Sequence, residues 1–408
     1  MYVRHVEDRV RTAMSDTPVV AINGPRQSGK TTLAKAVVTP EWRYLTLDDQ
    51  TVLAAASSNP IAFVRDLDRA VIDEIQRAPA LLLALKRSID EDRRPGRFLI
   101  TGSANVLTMP MAQESLAGRI EIATILPLSQ AELAGKIPGL LQALFGGGPP
   151  RNAERGATGD HLARRVLAGG YPEVLSREDE NRRAAWCRQY LDAIVQRDLI
   201  DIAPIEKPAQ ARRLIDALAI QVGRLTNFTD LGGKLGLSNH TVASYIGLLE
   251  QLFIVRRVEA WHRNELKRLI KTPKLHFLDT GLVAANRRLT LAKVKADRTA
   301  FGALLEGFVF AELTKLASVA DESIHISHYR DKDQVEVDFV LENGSGDIVG
   351  VEVKASATVT RADFAGLRKL QSAVRDEFRS GLVLYDGDEI LPFGDGLWAA
   401  PIASLWAA

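Results

Sequence analysis

The chain has 408 residues, enough for two or three domains at about 150 residues each. Apolar residues make up 46% and charged residues 25%, a globular balance that argues against global disorder. Lys plus Arg (52) against Asp plus Glu (51) leave a net charge of +1, which excludes a polybasic protein but not a local basic patch. The one cysteine, Cys187, excludes an intramolecular disulfide and any cysteine-rich zinc module. No apolar run approaches the roughly 18–20 residues that cross a bilayer, so no membrane partner is expected. The N-terminus, MYVRHVEDRVRTAM, mixes acids with apolar residues and does not read as a signal peptide. The expectation is a soluble, cytoplasmic, multidomain protein.

In residues 1–137, short apolar runs at 19–23, 44–47, 70–72, 97–101 and 120–126 alternate with helix-like segments. Runs this short between helical patterns read as buried parallel strands, which predicts an α/β fold with helices on both faces of a parallel sheet. Ser129, with Glu132 three residues on, predicts a capped helix leaving the last strand.

The first run leads into Gly24, Pro25, Arg26, Gln27, Ser28, Gly29, Lys30 and Thr31, a match to GxxxxGK[ST], and a helix-compatible segment follows from Thr32. In this strand–loop–helix setting the glycines let backbone N–H groups turn inward around phosphate oxygens at a helix N-terminus. Lys30 is expected between the β- and γ-phosphates of ATP, and the Thr31 hydroxyl on Mg²⁺. The third run ends in Asp73 and Glu74. Asp73 is the candidate second Mg²⁺ ligand and Glu74 the group that orients and polarises water. The fourth run ends at Thr101 and is followed by Gly102 and Ser103, and the Thr101 and Ser103 hydroxyls are candidates for sensing the γ-phosphate or the water. Asp48 and Asp49 end the second run at the same predicted sheet edge, with no role fixed by the sequence.

Residues 138–160 include GGGPPRNAERGATGD and read as a linker; residues 161–225 read as helical, with Arg-rich faces at Arg164, Arg165, Arg182, Arg183, Arg212 and Arg213 that suit a solvated surface. Within 226–282 the pattern is two helices, a turn at Leu237 and Ser238, and a hairpin. Val242, Ile246, Leu249 and Phe253 recur at helical spacing and are expected inward. Asn239, His240 and Ser244 are expected outward, where a recognition helix meets base edges. Residues 256–274 hold seven Lys or Arg against two Glu, 7 − 2 = +5, a candidate phosphate-backbone patch for DNA. A lid or subunit contact suits the same segment.

In residues 298–408 two apolar runs flank Asn343–Asp347, rich in turn formers, and predict a hairpin. A symmetric turn pairs residues whose numbers sum to about 690: Val337 with Val353, Phe339 with Val351, Leu341 with Val349. The other face then sets Asp338 against Glu352 and Glu336 against Lys354. Two like charges side by side call for protonation, solvent or a cation, and Mg²⁺ suits a carboxylate pair. Lys354 on the same face is the candidate to position a nucleophilic water.

Together, GPRQSGKTT, VIDEIQRAP, ITGSAN, LAGRIEI, GGYPEVL, QRDL, LDTGL and VGVEVKAS resemble uncharacterised prokaryotic AAA-type ATPases that carry a C-terminal domain of unknown function. The resemblance spans most of the chain. It implies an ATPase core, a winged-helix-like segment and an α+β terminal domain similar to the PD-(D/E)XK (restriction-endonuclease-like) nucleases, in which Glu306 matches the upstream acid. It also implies that Arg119, just before the last strand, reaches a neighbouring subunit's nucleotide, and hence self-association. An ordinary surface ion pair suits Arg119 equally well. Two functions stay open: a Mg²⁺-dependent ATPase acting on nucleic acid, with a metal nuclease at Asp338, Glu352 and Lys354, or an ATP-controlled binding switch on an inactive nuclease-like scaffold. A kinase using the same loop is less favoured, because Asp73 and Glu74 suit water activation.

Overall fold

A computed structural model of the chain describes residues 2–103, 116, 118–151, 153–202, 208–264, 268 and 271–408. The chain divides into two compact units, Met1–Pro127 with Gln251–Phe253, and Leu128–Glu250 with Ile254–Ala408.

In the first unit, β1 (Val19–Asn23), β2 (Arg43–Thr46), β3 (Ala70–Asp73), β4 (Phe98–Gly102) and β5 (Ile120–Thr124) form a parallel sheet in the order β2-β3-β4-β1-β5. These are the expected strands, shifted by a residue or two at their ends. Val19, Ile72, Phe98 and Ile100 are fully buried against Leu81, Leu85 and Ile89 of the helix Leu81–Glu91. Each such side chain contributes about 1.5–3 kcal/mol by leaving water, so strands covered on both faces read as unbroken apolar runs. The parallel register sets the C-terminal ends of β1, β3 and β4 side by side, and the phosphate-loop motif, Asp73 and Thr101 therefore share one edge.

The second unit begins earlier than expected. The helix Gln130–Ala134 carries the predicted capping box of Ser129 and Glu132. It belongs to this unit, where Leu128 N–H donates to Gly170 O at 2.7 Å and Gln130 N–H to Glu312 at 2.8 Å. Residues 138–160 are not a free linker either. Leu140 and Leu144 of the helix Leu140–Phe145 are buried, as is Ala157. Ser380 Oγ donates to Leu144 O at 2.9 Å, and Trp406 Nε1 to Glu154 at 2.6 Å. Glycines such as Gly147 and Gly156, at φ 77° and 73°, turn the chain, yet the apolar residues between them still gain by burial.

Helices Gly159–Ala168, Glu180–Ala193 and Pro208–Ile220 fill the expected helical region. Helices Phe228–Leu235 and Asn239–Gln251 then lead into the antiparallel pair β6 (Val255–Val258) and β7 (Lys274–Phe277). The terminal part is a mixed sheet in the order β12-β13-β11-β10-β9-β8: β8 (Ile324–Arg330), β9 (Glu336–Asn343), β10 (Ile348–Lys354), β11 (Phe378–Tyr385), β12 (Leu391–Gly394) and β13 (Leu397–Pro401). β8, β9 and β10 form an antiparallel meander, and β11 returns parallel to β10 after the helix Ala365–Val374. The hairpin ladder runs from Ile348↔Glu342 to Val351↔Phe339, each pair summing to 690 as the symmetric turn requires. It stops there. Asp338 and Glu352, and Glu336 and Lys354, are not ladder partners; Asp338 instead accepts the Val353 N–H at 2.9 Å. Among the described residues no helix is long and apolar enough to cross a membrane.

Candidate functional site

The phosphate-loop motif closes on itself at the end of β1. Asn23 Oδ1 accepts the Gly24 N–H at 3.0 Å, and Ser28 Oγ donates to Pro25 O at 2.9 Å. Gly24 approaches so closely that a Cβ would lie 2.0 Å from Ile125 O, while Gly29, at φ 99°, turns the chain into the helix Lys30–Val37. Gln27 also holds a positive φ, 61°, and is exposed; Arg26 is half-buried and Thr32 exposed on the first helical turn. The buried Lys30 ammonium donates to Gly24 O at 3.0 Å and Pro25 O at 2.8 Å. Arg4, which carries no signal in the sequence, props the loop from below: its guanidinium donates to Ser28 O at 2.7 Å and Leu126 O at 2.6 Å.

Asp73 is the hub of this edge. Its carboxylate, nearly fully buried at the end of β3, accepts the Thr31 hydroxyl at 3.1 Å, the Tyr44 hydroxyl at 2.5 Å and the Thr101 hydroxyl. Burial first, and then the Asp73 hydrogen bond and charge, hold the Tyr44 phenol well above its ordinary range. Nothing in the sequence marked Tyr44 except its place in an apolar run.

Glu74 sits at φ 62°, a left-handed conformation that is uncommon for a residue with a side chain and concentrates at functional positions. Its N–H donates to Thr101 Oγ1 at 3.1 Å. Its carboxylate accepts Ser103 Oγ at 3.2 Å and the Gln76 amide, which also donates to Ser103 at 2.9 Å. Thr101 thus ties the two acids together, and Ser103 holds the Glu74 carboxylate. Of the other expected residues, Asp49 caps the helix Gln50–Ser58, and Asp48 pairs with Arg77 at 2.5 Å; both are structural. Arg119 precedes β5 and therefore stands at the opposite edge of the sheet from the loop of its own chain, where it pairs with Asp90 at 2.8 Å. In the motifs ITGSAN and LAGRIEI, Ala104, Asn105 and Ala117 lie outside the described residues.

In the second unit Glu306 and Asp338 lie beside one buried lysine, Lys274 of β7, and Glu352 lies beside Asp338. Its ammonium lies 3.1 Å from Glu306, 3.7 Å from Asp338 and 3.9 Å from Glu336. Glu352 and Glu306 are held above the ordinary carboxylate range, by burial first and by the Asp338 charge second. Burial works against the charge on Lys274, but Glu306 and Asp338 outweigh it and raise its pKa. Lys354 is half-exposed and turns to Asp363 at 3.8 Å, while Glu336 pairs with Arg330 at 3.0 Å. Among the described residues no three His, Cys, Asp or Glu side chains are arranged to hold a metal ion.

On the helix Asn239–Gln251, Val242, Ile246 and Leu249 are buried, and Asn239, His240 and Ser244 are exposed; Phe253, beyond the helix, is only half-buried. The basic stretch that follows is largely neutralised within the chain. Arg257 pairs with Glu250 at 2.8 Å, Arg263 with Glu377 at 3.4 Å and Arg268 with Glu342 at 2.7 Å. Lys271 donates to Arg330 O at 3.2 Å, and Lys274 is the buried lysine above. Glu265 and Lys267 lie outside the described residues; Arg256 is exposed. A count over one segment could not see the acids that β9 and the helix before β6 bring to it.

Two further motifs dock on one another. Asp279 of LDTGL caps the helix Thr280–Asn286 and accepts the Gly170 N–H of GGYP at 2.7 Å. A Cβ at Gly169 would lie 2.3 Å from the Asp279 carboxylate, and one at Gly170 2.2 Å from Leu128 O. Their glycines are there for close packing.

A parallel sheet whose strand β1 ends in a glycine-bracketed loop, with carboxylates at the end of β3 one strand beyond β4, defines an AAA-type ATP-binding protein, and residues 16–134 match the family described as AAA domain. Residues 159–293 match a Domain of unknown function (DUF8612) and residues 301–405 a Domain of unknown function (DUF4143). The chain belongs to the family of the uncharacterized protein Rv2008c of Mycobacterium tuberculosis, to which it is 30% identical over 408 residues, 98% of this chain and 83% of that one. It is also similar to the uncharacterized protein MJ1544 of Methanocaldococcus jannaschii, 22% identical over 375 residues, 88% of this chain and 79% of that one. Among solved structures it resembles a DNA polymerase III gamma subunit-related protein of Thermotoga maritima, with 10% identity over 73% of this chain and 97% of that chain, at a TM-score of 0.22. A likeness that low informs neither fold nor function.

Proposed function

We propose that the chain is a Mg²⁺-dependent ATP hydrolase whose nucleotide state governs its association with a macromolecular partner, the terminal sheet serving as a scaffold. The observation that carries this reading is the convergence of Lys30, Thr31, Asp73 and Glu74 on one sheet edge, with Thr31 Oγ1 and Asp73 3.1 Å apart. That hydroxyl–carboxylate pair consists of hard oxygens and fits Mg²⁺, which takes one or two protein ligands beside waters and phosphate. When bound, the ion neutralises charge developing on the β- and γ-phosphates. Lys30 exchanges its two loop carbonyls for phosphate oxygens. Glu74, oriented by Ser103 and Gln76, aligns a water and receives its proton. Arg119 is remote from its own loop and pairs with Asp90, so any part it takes in hydrolysis would be at the nucleotide of another copy. Phosphate release by the full chain tests the reading: wild type turns over, Glu74→Gln does not, and equal rates for the two would refute it.

A second reading, ATP-driven action on DNA with a metal nuclease in the terminal domain, is favoured by one observation. The meander β8-β9-β10, with β11 parallel beside it, carries Asp338 and Glu352, and Glu306 of the helix Arg298–Val319 lies beside the same lysine as Asp338, an arrangement that suits such a core. The exposed Asn239, His240 and Ser244 suit it as well. Against it stand the internally paired arginines and Lys274. With an ammonium already among the carboxylates, the site as folded does not fit a divalent ion. The expected result is therefore no cleavage of DNA or RNA with Mg²⁺ or Mn²⁺.

A further inference from the structure

The hairpin β6–β7 is joined to the terminal sheet. Beyond β6, Trp261 N–H donates to His328 O at 2.6 Å and His328 N–H to Glu259 O at 2.9 Å, so this segment runs along the edge strand β8. The Trp261 ring is buried with Val337 and Val340 of β9, and its Nε1 donates to Glu342 at 3.2 Å. Anchored in this way, β7 delivers the Lys274 side chain, 4% exposed, into the carboxylate cluster. Beside it His276 is completely buried and stacked on Phe310 at 4.7 Å, with neither ring nitrogen hydrogen-bonded and Nε2 3.8 Å from Glu306. β7 thus lines the cluster with the buried Lys274 and His276 side chains.

We propose that Lys274 is the built-in counter-ion of the terminal acidic cluster and bars divalent cations from it. An ammonium 3.1–3.9 Å from three carboxylates occupies the region that a cation would share with them, and Mg²⁺ needs its oxygens at about 2.0–2.1 Å. Among Glu306, Asp338 and Glu336 the ammonium and an ion cannot both fit, and an ion shared by Asp338 and Glu352 would face that like charge close by. Asp338 is further committed, since one oxygen accepts the Val353 N–H. A buried carboxylate group without a positive partner is costly, so loss of the lysine leaves a cluster that recruits a cation from solution. The lysine comes from the hairpin β6–β7, not from β9 and β10, which carry Asp338 and Glu352, or the helix Arg298–Val319, which carries Glu306, and so the hairpin keeps the cluster metal-free as long as it stays docked. This inference does not depend on how the phosphate loop works.

The test is Mn²⁺ uptake by the full chain without nucleotide, read as loss of the free-ion electron paramagnetic resonance signal. Wild type and Asp338→Asn are expected to be indistinguishable. Lys274→Met is expected to take up one additional ion, at least tenfold more tightly than wild type, and to lose it again in the Lys274→Met, Asp338→Asn double variant. Mn²⁺ should raise the melting temperature of Lys274→Met and leave that of wild type unmoved. A wild-type ion that disappears in Asp338→Asn overturns the proposal, as does a folded Lys274→Met that gains none. Lys274→Gln serves if the methionine variant does not fold, and the comparison of wild type with Asp338→Asn decides even if neither does.

Discussion

The Tyr44 hydroxyl, at the edge of β2, donates to the Asp73 carboxylate at 2.5 Å, joining two strands across the sheet edge that carries the phosphate loop. A carboxylate this deeply buried requires donors, and Tyr44, Thr31 and Thr101 supply them. Hydrogen bonds to charged groups contribute about 1.5–3 kcal/mol each. Tyr44→Phe is expected to lower stability to urea unfolding by about 1–2 kcal/mol without Mg-ATP, and by less with it. An equal loss under both conditions contradicts a role for Tyr44 in the metal-facing acid.

Glu74 is held by Ser103 and Gln76. Glu74→Gln keeps the shape but removes the base, and should retain ATP binding while slowing hydrolysis by roughly 10²–10⁴-fold. Gln76→Ala loosens the orientation of that carboxylate, and its effect should fall on kcat with KM little changed. A matching rise in KM would place Gln76 in nucleotide binding.

Asp279 links the GGYP and LDTGL segments through Gly170. Gly169→Ala must place a Cβ 2.3 Å from that carboxylate at a φ of 70°, so it should destabilise the second unit by roughly 2 kcal/mol or more. Alanine at the exposed Gly344, where nothing lies within 4 Å, is the control and should shift unfolding by under about 1 kcal/mol.

His328 is buried in the sheet edge, and burial first, with the Lys274 charge second, pushes its pKa down to about 4 from an ordinary 6.5. Because the folded form stays neutral where the unfolded chain takes a proton, stability is complete above pH 6.5 and is lost as pH falls from 6.5 towards 4. The loss from this residue is on the order of 3 kcal/mol. His276, also held well below its ordinary value by burial, adds to the same slope. Urea unfolding of His328→Gln across this window should show a shallower pH dependence than wild type; an unchanged slope removes His328 from the account.

Much of the nucleotide edge was legible in the sequence because its signals are local. Buried parallel strands read as apolar runs, and the loop, Asp73 with Glu74, and Thr101 with Ser103 each follow directly on one. The hairpin register was legible for the same reason, since a symmetric turn at Asn343–Asp347 fixes the sum of paired numbers. Where the ladder ends was not, because the Asp338–Val353 bond that replaces it is a side-chain choice. Arg4, Tyr44 and Lys274 were invisible, as each acts on partners 24 to 122 residues away, and no spacing rule connects them. Residues 138–160 were misread because Gly and Pro report turns, whereas Leu140, Leu144 and Ala157 report burial. The +5 stretch failed as a surface because Glu250, Glu342 and Glu377 lie outside it in sequence but against it in space.

The central claim is that the Gly24–Thr31 turn grips Mg-ATP through Lys30. Titration calorimetry of the full chain with Mg-ATP measures this most directly. The account predicts a saturable heat with one site per chain for wild type, weakened at least tenfold when Mg²⁺ is chelated and abolished in Lys30→Ala. No heat with wild type, or the same heat with Lys30→Ala, would contradict it.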